Sequence, residues 1–354
     1  MVFRLCFIGL SRVARGVDTL ILPDRHLNND SRLDVIVSNY GSNDVSVLLG
    51  YGNGSFEDER RYAVGSSPQA VAIGDLNNDH RPDITVSNYE SGDVSVLLGH
   101  GDGTFEEQTK YAVGSGPFGI AIGDFNKDGR LDIVVTSYWS DGANVLVGYL
   151  YKAFEKKTVL LTGNHSRPQS LVIADFNNDG LADIGVANFL TNSIGVFLSY
   201  GNMSFANQST STTSPYSSPC AIAAGHFDND TQVDVVFGIC QSQNVGVLFG
   251  YGNGSFGNLM VYSTGSFATR YSVAVSDLDN DGMTDIVVAN YDSNTVGVLR
   301  GHGNGTFASI ALFPLAFGSE PFAIVLGDFN QDSKLDLVIA NNGSDSLSTL
   351  LQTC

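Results

Sequence analysis

The sequence predicts an all-β chain folded as a seven-bladed β-propeller of four-stranded antiparallel blades, the ring closed by an N-terminal strand. Three observations carry this. One pattern recurs seven times, seen most cleanly as AIGDFNKDGRLDIVVTSY (121–138) and VIADFNNDGLADIGVANF (172–189). The matching Asp of each copy (Asp30, Asp79, Asp128, Asp179, Asp230, Asp281 and Asp332) is spaced by 49, 49, 51, 51, 51 and 51 residues, so the copies fill the 354-residue chain. Within each period short Val, Ile and Leu runs are bounded by Gly, Asn and Asp, with no helical periodicity. A period of this size marks a solenoid, a propeller or an array of units that cannot bury their faces alone. Four strands in each of seven copies match the propeller. The chain therefore reads as a single domain, 1–354, with 1–22 as an atypical closing segment.

Taken in order, the N-terminal segment comes first. The last copy stops after its third strand, SLSTLLQ (346–352), so its outer strand has to come from elsewhere. Gly16 lies ten residues before His26 as Gly65 lies ten before Asp75, which places the missing strand near 5–15 in register and removes two open sheet edges. The stretch MVFRLCFIGL is a poor leader, because Arg4 interrupts it and Arg12 and Arg15 stand where small residues should precede cleavage. It reads better as this strand. In the second copy the first strand is VAIGD (71–75), the second DITVSN (83–88) and the third DVSVLLG (93–99). A G-x-G-[ST]-F turn follows, with copies at 52–56, 101–105, 252–256 and 303–307, and then a polar fourth strand such as EEQTKYAV (106–113). The third copy has a degenerate turn, GYLYKAF (148–154).

Between first and second strands each copy carries a loop whose complete form is D-x-[DN]-x-D-G-x-x-D. Carboxylates and an amide at alternate positions of a tight loop converge on one point, and an all-oxygen donor set suits calcium far better than zinc or copper. Copies three (Asp124, Asn126, Asp128, Asp132), four (Asp175, Asn177, Asp179, Asp183) and six (Asp277, Asp279, Asp281, Asp285) keep every element, including the Gly at the turn. Copies two (Asp75, Asn77, Asp79, Asp83) and seven (Asp328, Asn330, Asp332, Asp336) keep all four side chains, with His80 and Ser333 in place of the Gly. In copies one and five the opening residue is His26 or His226, a poorer partner for a hard cation, which leaves Asn28, Asp30, Asp34 and Asp228, Asp230, Asp234. Asp, Asn and Gly also close hairpins unaided. Seven retained pairs of acids would nonetheless repel without a counter-charge, so Ca2+ is the expected cofactor.

These tandem loops with their G-x-G-[ST]-F turns resemble FG-GAP or VCBS-type repeats over nearly the whole chain. The resemblance implies a propeller like that at the head of integrin α chains, with calcium loops on one face and ligand or partner contacts on the other. Similar propellers occur in lectins and beside catalytic domains acting on polysaccharides. His26, His226 and the turn at 148–154 depart from the pattern.

The other face would present Asn39 and Tyr40, Asn88 and Tyr89, Tyr138 and Trp139, Asn188 and Phe189, and Asn290 and Tyr291, with His165 and Arg167 from a longer loop. Aromatic rings beside amides suit a glycan or peptide, although the repeated pairs also fit a purely structural role. Trp139 is the chain's one Trp. With no G-x-S-x-G, H-E-x-x-H or P-loop, no catalytic residue is expected and the chain reads as a non-enzyme. The alternative is a lectin, or an enzyme or accessory module acting on polysaccharide by lysis or hydrolysis.

The chain has 18 Lys and Arg against 37 Asp and Glu, a formal net charge of -19, which opposes binding to nucleic acid. The loops hold 21 of those 37 acids. No apolar run approaches the ~18 residues of a membrane span. The expected partner is a protein or glycan ligand, bound by a monomer. N-x-[ST] sequons at Asn29, Asn53, Asn164, Asn202, Asn207, Asn229, Asn253, Asn304 and Asn342, an even cysteine count and calcium loops all favour a secreted or cell-surface glycoprotein. Two disulfides are expected, Cys220 to Cys240 across adjacent antiparallel strands and Cys6 to Cys354 across the closure, with free thiols as the alternative.

Overall fold

The computed structural model describes residues 5–12, 17–21, 26–149, 153–240, 242–268 and 272–353. It is all-β, with seven four-stranded antiparallel sheets. The third blade runs Pro117–Gly123, Asp132–Ser137, Gly142–Tyr149, Ala153–Leu161 from first strand to fourth, and the other blades follow the same order. First strands of neighbouring blades touch around the ring, so they form its inner wall. Among the described residues no helix is long and apolar enough to cross a membrane.

The ring closes as the register predicts. Strand Leu5–Arg12 pairs antiparallel with Ser346–Gln352 and becomes the outer strand of the seventh blade. Val17–Ile21 is the inner strand of the first blade, paired with Val35–Asn39.

Second and third strands of each blade are apolar on both faces because they are packed between neighbours. Asp132–Ser137 and Asp285–Asn290, for instance, are buried along their whole length. The core is therefore seven slabs lying between blades. One joins Val35, Val37 and Leu48 of the first blade to Val338, Ala340 and Leu347 of the last. Another joins Ile133, Val135 and Leu146 to Val94 and Val96. The fourth strands Thr109–Ala112 and Ser209–Thr212 are polar and largely exposed.

Cys220 and Cys240 form a disulfide with Cα atoms 6.0 Å apart. They are not directly opposite. The ladder pairs Gly225 with Asp234 and Pro219 with Ile239, with a shift of register between 219 and 222, and the bridge spans that offset. The expected Cys6 to Cys354 pairing lies outside the described residues.

Candidate metal loops and the opposite face

The first-to-second and third-to-fourth connections lie on one face, and they interlock between blades. The amide of the second Gly in a G-x-G turn donates to the loop carbonyl of the preceding blade: Gly103 to Leu27, Gly254 to Phe176, Gly305 to Phe227 and Gly54 to Phe329, at 2.9 to 3.2 Å. The turn's Phe then meets that blade's loop aromatic edge-on, as Phe256 meets Phe176 and Phe307 meets Phe227.

Within each loop the positions do different work. The opening carboxylate gathers two amides of its own loop: Asp124 accepts from Asp128 and Gly129, Asp175 from Asp179 and Gly180, Asp75 from Asp79 and His80, Asp277 from Asp281 and Gly282, and Asp328 from Asp332 and Ser333. The third-position amides Asn77, Asn126, Asn177 and Asn330 accept from the fifth residue's N–H, and Asp79, Asp128, Asp179, Asp281 and Asp332 each accept from the seventh. The sixth position needs a left-handed backbone. Gly129, Gly180 and Gly282 supply it with open space around them, and His80 (φ 63°) and Ser333 (φ 65°) adopt it despite their side chains.

The ninth acid is a structural staple as well as a candidate ligand, which the spacing alone does not reveal. Asp83 is fully buried and accepts from Leu76 N and Gly99 N, each at 2.8 Å. Asp132, Asp183, Asp234, Asp285 and Asp336 repeat this with the equivalent pairs of amides. Burial pushes each of these six carboxyls up to about 6, against the opposing pull of the two amides, and the neighbouring loop acids push the same way. Asp34 is raised by the same cause.

Two loops bring carboxylate oxygens within 4.8 Å of one another: Asp277, Asp279 and Asp285 in the sixth blade, and Asp228, Asp230 and Asp234 in the fifth. These groups could hold a metal ion. At that spacing a like-charged pair costs roughly 3 kcal/mol at an effective dielectric of ~20. Arg300, 3.0 Å from Asp279 Oδ2, offsets part of it. Asp279 Oδ1 is buried without a hydrogen-bond partner, an acceptor that a hard cation would satisfy. The fifth blade clusters its acids without an opening Asp. There His226 Nδ1 bonds the carbonyl of Gln232 at 2.6 Å, and His26 bonds Arg32 in the same way in the first blade.

On the opposite face the repeated amides are not ligand contacts. Asn39, Asn88, Asn188 and Asn290 are fully buried, and their Nδ2 groups tie the second strand to the third, as Asn88 does to Asp93 and Ser95. The aromatic partners are available to different degrees: Tyr40 is 37% and Trp139 53% exposed, whereas Tyr89 and Tyr138 are half-buried.

Trp139 is held firmly. Its Nε1–H donates to the Tyr89 hydroxyl at 2.7 Å, and its ring meets Tyr138 edge-on at 4.9 Å. Gly116, at φ 66°, leaves the space, since a Cβ there would sit 2.5 Å from Trp139 Cδ1. The Arg167 guanidinium stacks over the indole at 4.5 Å and over Tyr138 at 5.2 Å. Burial raises the Tyr89 hydroxyl above the usual tyrosine range, opposed by the Trp139 hydrogen bond, so Tyr89 stays a protonated acceptor.

A device unread in the sequence positions Arg167. The residue before the proline that opens a first strand is left-handed: Ser67, Gly116, Arg167, Ser218 and Glu320 have φ of 42° to 66°. In four of these its amide is capped from the preceding blade, by Asn43 for Ser67, Asn192 for Ser218, Asn294 for Glu320 and Asp141 for Arg167. Asp141 also accepts from His165 N, which fixes the whole loop. The side chain at this slot lies beside the aromatic of the preceding blade, so that Arg167 reaches Tyr138 and Glu320 accepts from the Tyr291 hydroxyl at 2.7 Å.

The FG-GAP-like repeat matches residues 26–86, 75–135, 175–237, 226–288 and 277–339. The chain belongs to this repeat family. Its pattern lapses between 135 and 175, the stretch that carries Trp139, Asp141 and Arg167. No curated protein sequence matches the chain. Solved structures share the fold. Virginiamycin B lyase from Staphylococcus aureus superposes with a TM-score of 0.70 at 14% identity, over 99% of each chain. A BBS1N structure in complex with ARL6DN gives 0.69 at 10%, over 100% of this chain and 98% of that one. An Agrocybe aegerita lectin specific for non-reducing terminal N-acetylglucosamine gives 0.58 at 16%, over 95% and 87%.

These structures correct one expectation. The lack of catalytic motifs reads as a non-enzyme, but the virginiamycin B lyase, an enzyme, has this fold over 99% of its own chain. A propeller needs no second domain to be an enzyme, and short linear motifs miss sites assembled from several blades.

Proposed function

We propose that the chain is a calcium-loaded, secreted or cell-surface recognition propeller that binds a glycan on the face opposite the metal loops. The observation that carries this is the Trp139 centre: an exposed indole, fixed by Tyr89, Tyr138 and Arg167, in the internal stretch between matched repeats where the pattern lapses. An aromatic plane flanked by hydroxyls and a guanidinium gives a sugar both a stacking surface and hydrogen-bond partners. Calcium is supported by the all-oxygen donor sets and by the unpartnered Asp279 Oδ1. Its place in this reading is structural, since it would bind the face away from the ligand. The lectin of the same fold supports glycan recognition as a use of the architecture.

A glycan array probed with the wild-type chain in millimolar calcium tests the reading, alongside Trp139→Ala. Saccharide binding that disappears in the variant is the expected result. Binding unchanged by the substitution would remove this site from consideration. A second reading, cleavage of a polysaccharide at the same face, draws only on the fact that this fold also carries lyases, those of virginiamycin B and streptogramin B. Release of new chain ends from any glycan bound on the array would select it.

A further inference from the structure

We infer that the Trp139–Arg167 centre takes an anionic saccharide, a uronate carboxylate or a sulfate pairing with the guanidinium while a sugar ring lies against the indole. This deepens the glycan reading above and rests on it.

The argument starts from the guanidinium. Arg167 is half-buried, yet no carboxylate among the described residues lies within 4.0 Å of it, and its one side-chain hydrogen bond is a long one of 3.4 Å to the Tyr138 hydroxyl. Among the described residues Arg32, Arg60, Arg61, Arg130 and Arg300 each have a carboxylate within 3.8 Å, and the other arginine of the described loops without one, Arg81, is exposed to solvent where Arg167 is half-buried. Arg167 is thus a five-donor cation held over two rings with most donors unspent. Asp141, the nearest acid in the loop, is turned to the backbone amides of His165 and Arg167 and so positions the arginine without neutralising it.

The surroundings agree. A chain of net charge -19 places 21 of its 37 acids in the loops of the far face, so most of the anion-repelling charge lies away from this centre, with Glu90, Asp93 and Asp141 the acids in the nearby turns of this face. Among the described slots that precede a proline the others hold Ser67, Gly116, Ser218 and Glu320, so Arg167 is the one cation of the five. A planar, preorganised fork matches a carboxylate or sulfate in two-point contact. The neighbouring indole, 53% exposed, favours a ring over an acidic peptide, whose backbone offers nothing flat to stack.

The test uses the full chain in millimolar calcium and paired probes: polygalacturonate, alginate, heparin and chondroitin sulfate, each beside its carboxyl-reduced or desulfated form. At least one acidic member should bind, and removing the relevant charge should weaken it about tenfold or more. Arg167→Gln should erase the preference, leaving acidic and neutral forms alike, and Arg167→Lys should retain part of it. Loss on carboxyl reduction identifies a uronate, and loss on desulfation a sulfate. Equal binding of acidic and neutral forms, still dependent on Trp139, overturns the anionic ligand and leaves the glycan reading standing. No saccharide binding, or binding indifferent to both residues, overturns both. Melting midpoints of the variants equal to wild type confirm that each is folded.

Discussion

Phe56 meets Phe329 edge-on with ring centroids 5.7 Å apart, so the turn of the first blade is seated on the metal loop of the seventh. The Gly54 amide, 2.9 Å from the Phe329 carbonyl, secures the same seam. Loop geometry and ring closure are therefore one problem, and whatever stiffens the loops stiffens the joints between blades.

Calcium should stabilise the fold measurably. An ion that binds only the folded state adds RT ln(1 + [L]/Kd) per site, about 1.4 to 2.7 kcal/mol when free calcium is ~10 to 100 times Kd. Thermal melts in millimolar calcium and in EDTA check this, and equal midpoints would refute calcium binding at these loops.

The fifth and ninth acids should separate in the same experiment. Asp132→Ala strips two buried amides, Phe125 N and Gly148 N, of their acceptor, at ~1 to 3 kcal/mol each. That loss should persist in EDTA. Asp128→Ala or Asp281→Ala should cost most when calcium is present and little without it, and in calcium more than Asp30→Ala, whose loop lacks an opening Asp. Identical behaviour of Asp132→Ala and Asp128→Ala in EDTA would contradict the division of roles.

His226→Asp should enlarge the calcium-dependent shift of the melting midpoint. It restores an opening carboxylate to a loop whose other three acids already converge, and it frees the Gln232 carbonyl from the imidazole. A shift equal to that of wild type would mean that the opening position is dispensable.

Replacing Cys220 and Cys240 together with Ser should destabilise the chain by about 3 kcal/mol, from the chain-entropy cost of a loop with a sequence separation of 20. Denaturant unfolding measures this, and non-reducing peptide mapping verifies the bridge in the wild type. An unchanged midpoint would place the bridge outside the cooperative unit.

The blades were legible because Asp30 to Asp332 recur at a nearly fixed interval, and ring closure because a missing outer strand and an unplaced apolar segment share one register. The disulfide followed from antiparallel arithmetic, even though the bulge at 219–222 shifts the true pairing. What stayed hidden was of another kind. Spacing assigns Asp83 to a metal but cannot show that both its oxygens also receive backbone amides. The Asn of each Asn-aromatic pair looks like a recognition group, yet the pleat turns it inward to the third strand. The left-handed slot before proline has no residue-type signal, because Ser, Gly, Arg and Glu all occupy it, and in four of the five a cap from the preceding blade holds it there.

That slot has a consequence for how such a chain can change over generations. At the third, fourth and seventh blades it holds a glycine, a cation and an anion, while the strands behind are interchangeable in pattern. Selectivity can drift by single codon changes on a surface whose backbone is already fixed, without repacking any slab of the core. A library randomised at Ser67, Arg167, Ser218 and Glu320, with Gly116 kept because a Cβ there would strike Trp139, would sample new side chains on an unaltered scaffold.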